Sequence, residues 1–108
     1  MRFKDLEPEF VKRGEGHNFS VCSREEAEGV FFLCPRCFLT NNGPIGTHSI
    51  LCWAPVVPAE YGEGPGRWAL RGNSFDELSL DASPHTSILL TGPGCGAHFS
   101  VKEGEVEI

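Results

Sequence analysis

Two short pairs of side chains are the residues of this chain best suited to chemistry. Cys34-Pro-Arg-Cys37 is a C-x-x-C pair, and Cys95-Gly-Ala-His98 repeats the spacing with an imidazole in the last place. Zinc takes four ligands in a tetrahedron, with sulfur at about 2.3 Å and imidazole nitrogen at about 2.0 Å. A two-residue gap lets the backbone turn tightly enough for both side chains of a pair to reach one ion, and N–H groups in the turn can point at the sulfurs and offset their charge. Pro35 presets the first turn, while Gly94 and Gly96 give the second its dihedral freedom. The spacing therefore predicts one Cys3His site, made by Cys34, Cys37, Cys95 and His98, closed to water and structural in role. Zinc is the expected ion, and iron is the alternative that the same ligands admit.

Other chemistry is weighed against this site. His48 lies in a turn before an apolar run and is the alternative to His98, or a fifth ligand. A lone C-x-x-C also suits a thioredoxin-type redox pair, but that motif opens a helix after a strand, and Phe38-Leu-Thr-Asn-Asn-Gly43 is a poor helix former. The zinc deaminase signature is missing, because none of His17, His48, His85 and His98 has a Glu two residues on. Ser83-Pro-His85 and Ser87 bring serine and histidine close in sequence without a G-x-S-x-G elbow. Cys22 and Cys52 read as small core hydrophobes, with a mutual disulfide as the alternative. Trp53, Trp68, Phe75 and Phe99 either line an aromatic pocket or form the core; a pocket would join His48 to Trp53, Trp68 and Phe99.

Short elements must position these groups. Val30 to Leu33 is a compact apolar run that delivers Cys34 at the tip of a buried strand. Ser49 to Trp53 and Arg67 to Arg71 read as two further strands, separated by a Pro- and Gly-rich loop over 54–66. Ser23-Arg-Glu-Glu26 has the capping-box form and predicts a short helix over 23–28, ended by Gly29. Ser74 caps a single helical turn before Leu78 and Leu80, Ser87 to Thr91 reads as a central strand, and residues 98–108 as a hairpin turning at Lys102-Glu-Gly104. Residues 1–16 lack a sustained period and read as a partly ordered arm.

A chain of 108 residues has room for one domain, and 13 Gly and 8 Pro favour short strands joined by turns. The fold class expected is mainly β: small antiparallel sheets stabilised by zinc, with one or two short helical turns, because a loop-rich domain of this size needs a staple. A net charge of −6 disfavours nucleic acid. The charged opening MRFKDLEPEF has no apolar core of a signal sequence, and no run approaches the roughly 18 apolar residues that span a bilayer. A cytoplasmic setting with reduced cysteines follows as the expectation, which favours metal ligation over disulfides.

With these residues in view, the chain resembles a family of small proteins of unknown function from phages, prophages and some bacterial operons (domain of unknown function 6527). The matching elements are Phe32-Leu-Cys-Pro-Arg-Cys37, His48-Ser-Ile-Leu-Cys-Trp53, Pro65-Gly-Arg-Trp68, Leu78-Ser-Leu80 leading to Ser83-Pro, and Gly94-Cys-Gly-Ala-His-Phe99 before a hairpin with Gly104. The resemblance implies a zinc-binding domain, phage- or prophage-encoded, acting in the bacterial host cytoplasm. Phage members of that family often carry the label ammonia monooxygenase, which is not inherited: that oxidation is done by a membrane-embedded copper complex, and this chain has neither a spanning segment nor a His-rich copper set. The pattern is also similar to the β-tent type, in which two zinc knuckles clamp two small sheets, although Phe38 stands where many knuckles have Gly. The expected function is an interaction module with structural zinc, an accessory or host-modulating protein that binds a bacterial or phage protein. The alternative is a small enzyme, a hydrolase or thiol-dependent catalyst, with a pocket near His48, Cys52 and Trp53.

Overall fold

The computed structural model describes residues 1–16, 18–61, 66–82, 87–89 and 95–108, with only the backbone of Ser87 and Leu89. A 3-10 turn, Phe3–Leu6, leads into β1 (Glu9–Arg13), β2 (Phe19–Val21) and β3 (Gly29–Leu33), and the helix α1 (Pro35–Asn41) follows. After it come β4 (Ser49–Trp53), β5 (Ala69–Arg71), β6 (Ser79–Asp81), β7 (Ser87–Leu89), β8 (His98–Lys102) and β9 (Glu105–Glu107). The protein is mainly β, as its turn-rich composition predicts. Its sheets are small and antiparallel, in the orders β2-β1-β3-β4, β5-β6 and β7-β8-β9.

The apolar run Val30-Phe-Phe-Leu33 makes β3 the inner strand that its composition requires, since both faces of the four-stranded sheet are covered. Phe10, Val30, Phe32, Ile50 and Cys52 face the main core, where they meet Phe3, Leu78, Leu80, Phe99 and Val101. The alternate positions, Val11 and Trp53 with Phe31 and Leu51 packed beside them, face a smaller cluster closed by Val57. This period of two is strand geometry read directly in burial. Gly29 fits where β3 passes β4, because a Cβ there would stand 2.8 Å from the Cys52 carbonyl oxygen and from the Trp53 ring.

Four expectations are corrected. Residues 1–16 are not an arm: Phe3 and Leu6 are fully buried, and β1 lies between β2 and β3. The helix expected over 23–28 is a single turn; Ser23 Oγ does accept from the Glu26 N–H at 3.4 Å, but the chain straightens into β3 before a second turn forms. The segment from Phe38, expected not to be helical, belongs to α1. There Pro35 supplies the preset first position, and Asn42 takes the left-handed conformation (φ 54°) that closes the helix, with the Gly43 N–H donating to the Phe38 carbonyl at 3.0 Å. A preset first position and a closed C-terminal end thus outweigh the modest propensity of Phe38, Thr40 and Asn41. β7 lies at the edge of its described sheet, not at the centre, and Leu90 and Thr91 fall outside the described residues.

The terminal hairpin turns at Glu103-Gly104, both with positive φ (48° and 78°), which is the pattern of the two-residue turn that matches strand twist. That turn is clamped from two sides. Its Gly104 N–H donates to the Leu78 carbonyl at 2.8 Å, and its carbonyl accepts from the Phe3 N–H at 2.8 Å. Beyond it, the Val106 N–H donates to the Met1 carbonyl at 2.8 Å.

Candidate metal centre

Strand β3 leads directly into Cys34, whose side chain is fully buried and which stands at the N-cap of α1. One helical turn later Cys37 emerges on the same side, half-buried. The ladder then brings a third residue: β3 and β4 pair with Leu33 opposite Ser49, so the next step sets Cys34 opposite His48, and the Cys34 N–H donates to the His48 carbonyl at 2.9 Å. Cys95 arrives from the segment leading into β8. The Arg36 guanidinium on α1 holds that segment, donating from Nη1 to the Cys95 carbonyl at 2.7 Å.

Cys34 Sγ lies 3.5 Å from Cys95 Sγ, and His48 Nε2 lies 3.3 Å from the same sulfur. The ligand atoms of Cys34, Cys37, His48 and Cys95 all lie within 4.8 Å of one another. A tetrahedral zinc with the bond lengths above has edges of about 3.8 Å between sulfurs and about 3.6 Å between sulfur and nitrogen. A disulfide would need about 2.05 Å, and all five cysteines are free. The donor set and its spacing therefore fit a divalent, thiophilic metal in a closed four-ligand shell.

The electrostatics of the bare sulfurs point the same way. Burial pushes the Cys34 thiol up to about 12, against the pull of the Cys37 and Arg36 backbone N–H groups that face its sulfur. Burial also raises Cys37, as does the neighbouring Cys95 sulfur. At Cys95 burial works upward, but the His48 ring, the Ala97 backbone N–H and the two adjacent sulfurs outweigh it and bring the thiol down to about 7. Three sulfurs crowded into one partly desolvated corner cannot all ionise without a cation between them, and the backbone N–H groups aimed at them are those a tight metal-binding turn supplies.

The three cysteines expected as ligands come together here, and His98 does not join them. It is exposed at the start of β8, where Phe99 and Val101 point into the core and the period of two turns His98 outward. His48 takes the place in the group that sequence spacing gave to His98. The two pairs are thus not two matching knuckles: Cys34 and Cys37 straddle a helix start, and the other two members of the group come from the segments leading into β4 and β8.

Trp53 belongs to the smaller cluster, Trp68 and Phe99 to the main core, and His48 lies at the metal group, so these four do not line one pocket. Cys52, the thiol of the enzymatic alternative, is fully buried, and burial raises its pKa. Cys22 is half-buried against the main core. His17, Ser83-Pro-His85, Pro65 and Gly94 fall outside the described residues. Among the described residues, no helix is long and apolar enough to cross a membrane. Compared with models of protein families, with curated proteins and with solved structures, the chain matches none.

Proposed function

We propose that this chain is an interaction module built around one structural Zn²⁺ held by Cys34, Cys37, His48 and Cys95. The observation that carries the reading is the convergence of three thiols and an imidazole, from three separate segments, within 4.8 Å of one another. Four protein ligands leave no open position for water, which is the mark of a structural site. The ion ties the end of β3 and the start of β4 to the segment entering β8, and so joins the four-stranded sheet to the terminal one. Structural zinc in small domains contributes on the order of 10 kcal/mol, comparable with the whole stability of a domain this size.

The partner is a bacterial or phage protein bound in the bacterial cytoplasm. Support for this comes from the resemblance to the phage and prophage family, and from an acidic surface that repels nucleic acid. The test is native mass spectrometry of the purified protein before and after chelation, with circular dichroism of each sample. One zinc per chain, and β structure lost on its removal, is the expected result; a metal-free chain that stays folded overturns the reading. A thiol redox function is the second reading, favoured by one observation: Cys34 does stand between a strand and the start of a helix, the setting of a catalytic C-x-x-C pair. Catalysed disulfide reduction by metal-free protein would establish it.

A further inference from the structure

The same sulfurs have a property that a merely structural site does not need. Cys34 is fully buried, whereas Cys37 and Cys95 are half-exposed, so an oxidant arriving from solvent reaches either of these two first, and Cys34 Sγ lies 3.5 Å from that of Cys95. That separation must shorten by only about 1.5 Å to make a disulfide. Resting on the zinc reading above, we propose that the centre is a peroxide-responsive switch in which a Cys34–Cys95 disulfide replaces the metal.

The chemistry balances without any other reagent. The Cys95 thiolate attacks one peroxide oxygen and breaks the O–O bond, giving a sulfenic acid and hydroxide; the Cys34 thiolate then attacks the sulfenyl sulfur and expels a second hydroxide. Two sulfurs lose one electron each, the peroxide gains both, and the charge of the metal ion does not change. Cys37 and His48 alone are too few to keep the ion. The disulfide joins residues 61 apart in the chain and spans the same two places that the metal spanned, the end of β3 and the entry to β8. The core therefore stays closed on oxidation, and what is set free is local: α1 beyond Arg36, and the loop over 42–48. That loop carries Ile45, 90% exposed, and no charged residue.

The experiment uses the zinc-loaded full chain, its metal counted first, treated with a small molar excess of hydrogen peroxide in the presence of a chromogenic chelator. Peptide mass mapping and circular dichroism follow. The switch predicts release of one zinc per chain, a Cys34–Cys95 disulfide, retained β signal, and recovery of the loaded form with thiol reductant and zinc. Zinc that stays bound under peroxide overturns the switch and leaves the structural site standing. Zinc release with a Cys34–Cys37 disulfide, with over-oxidised sulfur and no disulfide, or with loss of the β signal overturns it as well. A chain that holds no zinc at the outset overturns the site and the switch together.

Discussion

At the scale of single residues, the informative comparison is between two histidines. Reading His98 as the fourth ligand follows from treating C-x-x-H as a copy of C-x-x-C, whereas the fold selects His48 through strand register, one step beyond the Leu33–Ser49 pair. The signal was present in the sequence as two adjacent apolar runs, Val30–Leu33 and Ser49–Trp53, that pair antiparallel with Cys34 and His48 at the same end. What local spacing does not contain is that alternation along β8, with Phe99 inward, turns His98 to solvent. His48→Ala should weaken zinc binding by more than the roughly 10–100-fold that losing an outer-shell partner costs, and His98→Ala should leave it unchanged; chelator competition measures both. The thiols set a pH dependence of known sign. Cys34, pushed up to about 12, and Cys37, also raised, hold protons throughout the neutral range, while Cys95, brought down to about 7, holds one only below it. Metal must displace two thiol protons above pH 7 and three below. Apparent affinity should therefore fall by about 100-fold per pH unit on acidification from pH 8, steepening toward about 1000-fold near pH 6.

Individual elements were legible where their own sequence decides them. The apolar runs of β3 and β4, the Leu78–Leu80 alternation of β6 and the terminal hairpin all declare themselves locally. Helix α1 did not, because its ends are set by Pro35 and the left-handed Asn42 rather than by propensity. The hairpin turn gives this scale its test. A Cβ on Gly104 would lie 2.1 Å from the Asp76 carbonyl oxygen, on a backbone with φ of 78°. Gly104→Ala should cost roughly 3 kcal/mol, at the high end for a single substitution, read as a drop in the denaturation midpoint. Glu103, by contrast, occupies the left-handed region with a side chain poorly suited to it. Glu103→Asn should stabilise the protein by about 0.5–1 kcal/mol in the same assay, since Asn tolerates that conformation and the bond from the residue 103 N–H to Ser79 Oγ is kept.

The whole molecule is held by contacts between distant segments, which is why residues 1–16 look like an arm in sequence and are core in the fold. Phe3 packs its ring against Phe32, with centroids 4.9 Å apart, and Leu6 is fully buried beside it. Nothing in the spacing of Phe3, Leu6 and Phe10 announces this, because a short 3-10 turn followed by a strand mixes two periods within ten residues. Phe3→Ala should cost about 3–5 kcal/mol, comparable with the loss of a central core aromatic, and would leave the zinc-loaded protein near the limit of folding by thermal denaturation.

Residues 1–3 bond to residues 104–106, so during synthesis the earlier of these two segments meets its partners only once the later one has emerged from the ribosome. Until then Phe3 and Leu6 have no complete site to enter. Nascent chains stopped short of Gly104 should accordingly be open to proteolysis around Phe3 and Leu6, and emergence of residues 104–106, rather than growth of the early strands, should be the step at which protection appears.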